Sequence, residues 1–502
     1  MISLLRLGCG LLLIELVLSS SLLAQGPSTA SVLQAFEDST TKIIEQSEGG
    51  VVAISRLANR GPLVRRPPGK NVFGPNDLNA PAVQSNQPYN SDFLPTEFGS
   101  GVIVAPRERP AERYVLTAYH VVKGGKTFRN PEAPFEYLLF VHLPRAKVVE
   151  ATIYAADPRS DLAVLKLLGQ ERQVEESLTP LKMFEGETVK KGQFVYSLGN
   201  PYALARDGSA SVSFGMVSNI ARVPFAELAA DKTTIHHMGT LLQVDTRQNV
   251  GTSGGALLNR NGELIGITTS MAALEGYEAS AGFAIPINRV MRRVVDSLLA
   301  GYEVEYGFLG VALTTSHEAE DIVGTGARSA AVVSGLLTGS PGELGGLRYR
   351  DVILAVNNKP VFNRDEVMRE VGLLGPNGKA SLQLKGNRVA AVTLGKWPAP
   401  DAESIVTAQD RYQTWRGLRV DWPTARQEHT DTTFSSRYPE GVLVLAVDPG
   451  SPASAAGLKV GQLIASIGGK TVNTPDQFSE AVKSLKSDVL VKLTDKRVLT
   501  IR

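Results

Sequence analysis

Residues 339–361 (GSPGELGGLRYRDVILAVNNKPV) align without a gap on residues 450–472 (GSPASAAGLKVGQLIASIGGKTV). A repeat of this kind restricts the fold, because each copy must be one supersecondary unit with its own small core. Each copy follows apolar strand residues (330–333 and 442–447) and precedes a helical pattern (364–371 and 475–485). Two copies of one small domain therefore occupy 301–396 and 412–502, joined by a linker at 397–411 that carries Pro398 and Pro400. The chain has 502 residues, too many for a single core, so residues 28–300 must supply the remaining domain.

That stretch starts with helical spacing from 28 to about 45, with Val32, Phe36, Ile43 and Ile44 on one face, and a strand begins at 51–54. Residues 58–95 are rich in Pro, Asn, Gly and Arg and read as a long loop. Arg65, Arg66 and Lys70 make it a solvated segment or a docking patch. Short strand patterns then follow at 101–105, 114–117, 137–143, 151–156, 162–167 and 194–198. More come at 212–220, 241–244, 264–269 and 282–286. Turn residues separate most of them, a spacing that suits antiparallel barrels rather than alternating strands and helices. A helix capped by Asn288, with Val290, Val294 and Leu298 on one side, ends at Gly301. The fold class is mostly β.

Residues 1–24 read as a cleaved, exported-protein signal: Arg6 precedes an apolar run over 7–23, and small residues stand near its end. Glu15 within the run and Leu22 near the cut keep an uncleaved anchor as the alternative. Cys9 is the only cysteine, so the mature chain has no disulfide and depends on packing. With 52 basic and 50 acidic residues the net charge is +2, which argues against a dedicated nucleic-acid binder. The sequence has no phosphate-cradling GxxxxGK[ST] and no zinc-binding HExxH. No ATP, metal or other cofactor is therefore expected.

The chemistry is concentrated in three places. Ser253 lies in NVGTSGGALLN (249–259), between Gly251 and the pair Gly254–Gly255. Glycines allow the tight turn and close substrate approach that a nucleophilic serine needs, although a bare GxSGG is also an ordinary hairpin turn. His120 ends an apolar strand in LTAYHVV (116–122). The other histidines stand in less suggestive settings: His236 and His237 in a polar loop, His142 mid-strand, His317 and His429 among charges. Asp161 precedes an apolar strand in DPRSDLAVLKL (157–167), while Asp157, before Pro158, suits a cap. Together they support acyl transfer: His120 takes the Ser253 proton, Asp161 orients the imidazole, and the Gly251 and Ser253 amides hold the oxyanion. The order His, Asp, Ser is one of the orders known for this triad.

The chain resembles the HtrA (Deg) family of exported serine proteases. The resemblance rests on FGSGVIV (98–104), TAYHVV (117–122), DPRSDLAVLK (157–166), YSLGNP (196–201), GTSGGALLNRNGELIGI (251–267) and GFAIP (282–286). It implies a chymotrypsin-like double six-stranded β-barrel followed by two PDZ domains, with His120, Asp161 and Ser253 as the triad. It also implies that 58–95 is a regulatory loop, and that the protein forms a homo-trimer or a larger cage. The loop before the serine departs from the family: Asn249-Val250-Gly251-Thr252 replaces Asn-Pro-Gly-Asn. Arg247 occupies the position that sets the primary-pocket floor, and Gln248 one that is often apolar. Arg247 disfavours basic side chains at the cut; Gln248 departs from the apolar residue that accompanies the family's small aliphatic preference, which stays only as a default.

PDZ domains add a peptide as an edge strand and hold its terminal carboxylate with loop amides. The candidate loops are 306–311, with Phe308, Leu309, Gly310 and Val311, and 415–420, with Gly417 and Leu418. The second is the poorer match and could serve only in packing. The expected function is an ATP-independent endoprotease for unfolded or damaged envelope proteins, with PDZ domains recruiting C-termini in the periplasm. The alternative is a proteolytically weak chaperone or scaffold of the same fold.

Overall fold

The computed structural model describes residues 29–59, 97–144, 147–169, 178–186, 189–200, 209–222, 234–269, 282–289, 291–399, 404–426 and 437–502. The signal segment and the expected loop from residue 60 onward lie outside them, as does His429.

After a helix at Thr29–Ser47, six strands form the first barrel: β1 (Val51–Ala58), β2 (Glu97–Val104), β3 (Tyr114–Ala118), β4 (Tyr137–Leu143), β5 (Lys147–Asp157) and β6 (Leu162–Leu167). They close in the order β1-β2-β3-β6-β5-β4. The second barrel contains β7 (Phe194–Gly199), β8 (Ser211–Arg222), β9 (Leu241–Val244), β10 (Ala256–Asn259), β11 (Leu264–Thr269) and β12 (Gly282–Pro286). Its order is β10-β11-β12-β9-β8-β7. Closure removes every sheet edge, and each interior fills with branched apolar side chains. Val52, Ile54, Ile103, Val115, Val141, Ile153 and Leu165 belong to the first core, and Val195, Val217, Val244, Leu257 and Ile265 to the second. A third cluster joins the barrels to the helix Arg292–Leu299 through Val294, Val295, Leu298 and Leu299.

The repeat forms two sheets of one topology. In the first, Val311–Ser316 is the edge of a path through Ala330–Leu336, Val352–Val356, Lys379–Leu384 and Arg388–Thr393. In the second, Leu418–Asp421 holds the same edge position, followed by Val442–Val447, Leu463–Ile467, Val489–Leu493 and Val498–Ile501. Each sheet has its own core.

The segment between the repeats is docked onto the first barrel. Val406 exchanges backbone hydrogen bonds with Ala156 (2.9 and 3.1 Å), and Ala408 N donates to Gly301 O at 2.9 Å. Composition gave no sign of this pairing, which depends on a strand far away in sequence.

Candidate active site

Strand pairing delivers the first two residues. β3 pairs with β6 so that Ala118 faces Leu162, which places the turn ending at Asp161 beside the single helical turn Tyr119–Val122. Asp157 caps the preceding turn, its carboxylate accepting from Ser160 N. Asp161 follows in the left-handed region (φ 51°). From there one carboxylate oxygen accepts from His120 N at 2.9 Å and the other lies 2.8 Å from His120 Nδ1. The backbone adds a third tie, Tyr119 N to Asp161 O at 2.8 Å. A carboxylate only accepts, so Nδ1 carries the proton and Nε2 is left as the basic nitrogen.

The carboxylate is buried (5% exposed), whereas the imidazole is 39% exposed. Burial disfavours the charged imidazole, but the adjacent Asp161 charge and hydrogen bond outweigh it and raise the His120 pKa above 6.5. Arg56, itself buried, caps the helical turn from behind, donating to the carbonyls of Val121 (3.4 Å) and Lys123 (3.2 Å).

Ser253 stands just before β10 and is buried. Its loop is fixed to the first barrel by Ser100 of β2. Ser100 N donates to Ser253 O at 2.8 Å, Ser100 Oγ donates to Gly251 O at 2.7 Å, and Thr117 Oγ1 donates to Ser100 O at 2.7 Å. A Cβ at Gly99 would lie 2.5 Å from Val121 Cγ1 and 3.2 Å from Ser253 O. The His120 turn and the serine loop therefore converge on one glycine at the seam of the barrels. Gly254 has φ 87°, and a Cβ there would strike Ser100 O at 2.1 Å. Only glycine fits after this serine.

Of the two pocket residues, Arg247 is exposed and its amide bonds to Ser213 Oγ at 3.0 Å. Gln248 lies against β12, its Oε1 accepting from Phe283 N at 3.0 Å.

A trypsin-like peptidase domain family matches residues 99–267, and a PDZ domain family matches residues 332–371 and 443–494. A probable periplasmic serine endoprotease DegP-like of Chlamydia trachomatis is 30% identical over 401 residues, 78% of this chain and 70% of that protein. The chain belongs to the HtrA/DegP family. A protein of the same description from Chlamydia muridarum is 27% identical over 498 residues, 94% of this chain and 89% of the relative. The solved HtrA-type protease AlgW with tripeptide is 23% identical, covers 72% of this chain and 98% of its own, and has a TM-score of 0.49.

Matching backbone hydrogen bonds align the loops of the two PDZ domains in this HtrA-family chain. Leu309 O accepts from Gly342 N and Gly310 O from Leu337 N; Arg416 O accepts from Ala453 N and Gly417 O from Asp448 N. Gly310 (φ 69°) and Gly417 (φ 77°) each press against an equivalent serine, Ser340 or Ser451. The structural equivalence is thus Phe308-Leu309-Gly310-Val311 with Trp415-Arg416-Gly417-Leu418. In the second copy an arginine stands where the first has Leu309. That loop also folds on itself, the Trp415 and Leu418 backbones exchanging hydrogen bonds of 2.9 Å.

Several residues near this site gave no clear sign in the sequence. Ser100, inside FGSGVIV, carries no sequence signal for its role. His236, assigned to a polar loop, is fully buried, with Nε2 at 3.1 Å from Ser160 O and Nδ1 at 2.6 Å from Thr240 Oγ1. Arg369, on the helix Arg364–Gly372 of the first PDZ domain, donates to Met238 O and Gly239 O, each at 2.9 Å. Asp157, read as a cap, also anchors Arg159 at 2.8 Å.

Proposed function

We propose that this chain is an exported, ATP-independent serine endoprotease that cuts unfolded or damaged envelope proteins. In this reading His120 Nε2 takes the proton of Ser253 as it attacks the scissile carbonyl, and returns it to the leaving amine. Asp161 holds the tautomer and stabilises the imidazolium, and the amides of Gly251 and Ser253 bind the oxyanion. The observation that carries the proposal is the double grip of Asp161 on His120, beside a serine loop tied to the same barrel through Ser100. The periplasmic naming of the relatives supports the location.

The first PDZ domain recruits C-terminal peptides along its edge strand Val311–Ser316, with Leu309 and Gly310 at the carboxylate loop. The arginine and self-bonded turn of the second loop favour a packing role there. Self-association as a homo-trimer or higher oligomer is supported by an exposed aromatic cluster. Phe36 (44% exposed) meets Phe214 (47%) and Phe194 (50%) at 5.7 and 6.1 Å, and Val32, Leu33, Val212 and Met216 are exposed on the same elements.

The test is digestion of reduced casein by the mature protein and by Ser253→Ala. Equal degradation by both, or none by the wild type with an activating C-terminal peptide present, would sink the assignment. Light scattering of Phe36→Glu/Phe214→Glu against wild type tests the oligomer; the same mass for both, or a monomeric wild type, argues against it.

A further inference from the structure

The turn before Ser253 has two possible settings, and its geometry shows which one this chain adopts. Asn249 O accepts from Thr252 N at 3.0 Å, so residues 249–252 form a hydrogen-bonded β-turn. Gly251 has φ 97°, while Val250 keeps φ negative. Negative φ at the second position and positive φ at the third define a type II turn. A type I turn closes the same residues with the same bond. It differs by a half rotation of one peptide plane, the plane that carries the Gly251 N–H. Glycine at the third position permits both settings, so the turn type decides where that amide points.

Backbone accounting singles out the same group. Thr252 N is spent on Asn249 O, Gly254 N on Thr268 O (2.8 Å) and Gly255 N on Thr252 O (3.0 Å). Gly251 is buried, yet no acceptor among the described residues takes its N–H. Buried amides are nearly always paired, so this one is available to a substrate oxygen.

Two hydroxyls fix the planes on either side of it. Thr252 Oγ1 donates to Asn249 O at 2.7 Å, a second closure of the turn at a place where Val250 lacks the fixed φ of a proline. Ser100 Oγ donates to Gly251 O at 2.7 Å and accepts from Asn200 N at 2.8 Å, which commits its proton to that carbonyl. Ser100 lies in β2 and Asn200 follows β7, so one hydroxyl joins both barrels to the turn. Thr268 Oγ1 of β11 holds the next carbonyl, Thr252 O, at 2.6 Å. Ser100 and Thr252 are both buried, where such bonds face little competition from water.

We propose that Ser100 and Thr252 are positioning residues for the oxyanion. Their hydroxyls hold the flanking planes, and the Gly251 amide between them keeps the direction in which it meets the developing negative charge. The proposal rests on the serine-protease reading above. Each hydroxyl acts through Gly251 and touches no reacting atom. A donor set in advance contributes to catalysis because it does not have to reorient as charge develops.

The experiment compares the full mature chain with Thr252→Val, Thr252→Ser and Ser100→Ala. Hydrolysis of a fluorogenic peptide is read beside affinity for a peptide boronic acid, whose tetrahedral serine adduct carries an oxygen in the oxyanion position. Thr252→Val and Ser100→Ala should lower kcat about tenfold to a hundredfold with KM nearly unchanged, the size expected of a misaligned group. Boronate affinity should fall in parallel. Thr252→Ser keeps the hydroxyl and should recover both, and the acidic midpoint of the pH profile should stay in place because His120 and Asp161 keep their contacts. Crystal structures of the variants supply a readout independent of turnover: the Gly251 plane should be flipped or divided between two orientations. Unchanged kcat and boronate affinity, or no recovery in Thr252→Ser, would overturn the proposal. A wild type that hydrolyses nothing sinks the protease reading; a single orientation with positive φ at Gly251 in both hydroxyl-free variants overturns the positioning roles.

Discussion

The phenol of Tyr306 donates a 2.6 Å hydrogen bond to Oδ2 of Asp157, across 149 positions of sequence. Asp157 is fully buried, and its carboxylate also caps Ser160 N at 3.2 Å in the turn that ends at Asp161. Burial and the Asp157 charge push the Tyr306 pKa well up, so the phenol remains a donor. A residue entering the first PDZ domain thus supports the turn that presents the acid of the candidate triad. Tyr306→Phe should cost about 1–3 kcal/mol, because a buried carboxylate loses a partner. It should also lower kcat roughly tenfold with little change in KM, the pattern of a misaligned but intact site. Urea unfolding and steady-state kinetics check the two parts.

The pH profile follows from His120. Its folded pKa is raised above 6.5 because the Asp161 charge overcomes burial. A general base must be neutral, so kcat/KM should fall on acidification with a midpoint above 6.5. Stability moves the opposite way: this group's contribution is fully present below its unfolded pKa and fades as pH rises through the folded one. Asp161→Asn should lower kcat by about 10⁴-fold through loss of the tautomer and the charge. Rates with a fluorogenic peptide across pH 5–9 provide the measurement; a midpoint below 6.5 contradicts the electrostatic reading.

Lys396 is 1% exposed and holds three carboxylates: Glu303 and Asp421 at 2.8 Å and Glu305 at 3.3 Å. Burial works against the ammonium, but Asp421, Glu303 and Glu305 together keep its pKa well above the ordinary value. Lys396→Met leaves these acids uncompensated and should destabilise by about 3–5 kcal/mol. Burial, helped by Glu303 and Glu305 and opposed by Lys396, raises the Asp421 pKa to about 6. A raised folded pKa favours folding most below the unfolded value and loses that effect as pH climbs through about 6. Wild type should therefore gain stability relative to Asp421→Asn between pH 7 and pH 5, a shift readable in urea midpoints.

These contacts mark the limit of what the sequence disclosed. His120, Asp161 and Ser253 stand out because each sits in a short motif near a strand end, and the fold brings His120 and Asp161 into direct contact. The mostly β class was legible in short apolar runs separated by turn residues, and the two six-stranded barrels through the family resemblance. Tyr306, Lys396 and His236 were not, since their roles arise only where separate modules meet. Lys396 gave the least warning: a lysine after a strand normally signals solvent, and only docking of the next domain buries it. The equivalence of the PDZ loops, which pairs Leu309 with Arg416, was hidden for another reason. The gapless repeat starts beyond those loops, and glycine equivalence there is set by Ser340 and Ser451.

A continuous route joins the first PDZ domain to the acid of the candidate triad. Arg369 holds the carbonyls of Met238 and Gly239, and His236 in the same short turn reaches Ser160 O. A carbonyl only accepts, so His236 Nε2 is protonated and Nδ1 accepts from Thr240. Arg369→Ala should leave peptide affinity of the first PDZ domain intact while reducing peptide stimulation of proteolysis about fivefold or more, the size of a typical coupling energy. Fluorescence anisotropy and casein digestion measure the two quantities separately. Equal stimulation in the variant would remove this route.

We propose that selectivity at the cut turns on Gln248 rather than on Arg247. Arg247 is exposed, whereas Gln248 packs so closely on β12 that a Cβ at Gly282 would lie 2.7 Å from its Cδ. Its Oε1 occupies Phe283 N, and its Nε2 is buried without a partner among the described residues. In this proposal the side chain takes up room in the primary pocket, and cleavage follows small aliphatic residues such as Val and Ala. Gln248→Ala vacates that space and frees the Phe283 amide, so larger apolar residues gain. Each added methylene in such a pocket changes selectivity by about tenfold or more. Mass analysis of casein fragments should show cuts moving from Val and Ala toward Leu, Met and Phe. An unchanged pattern would mean that another wall of the pocket sets the limit.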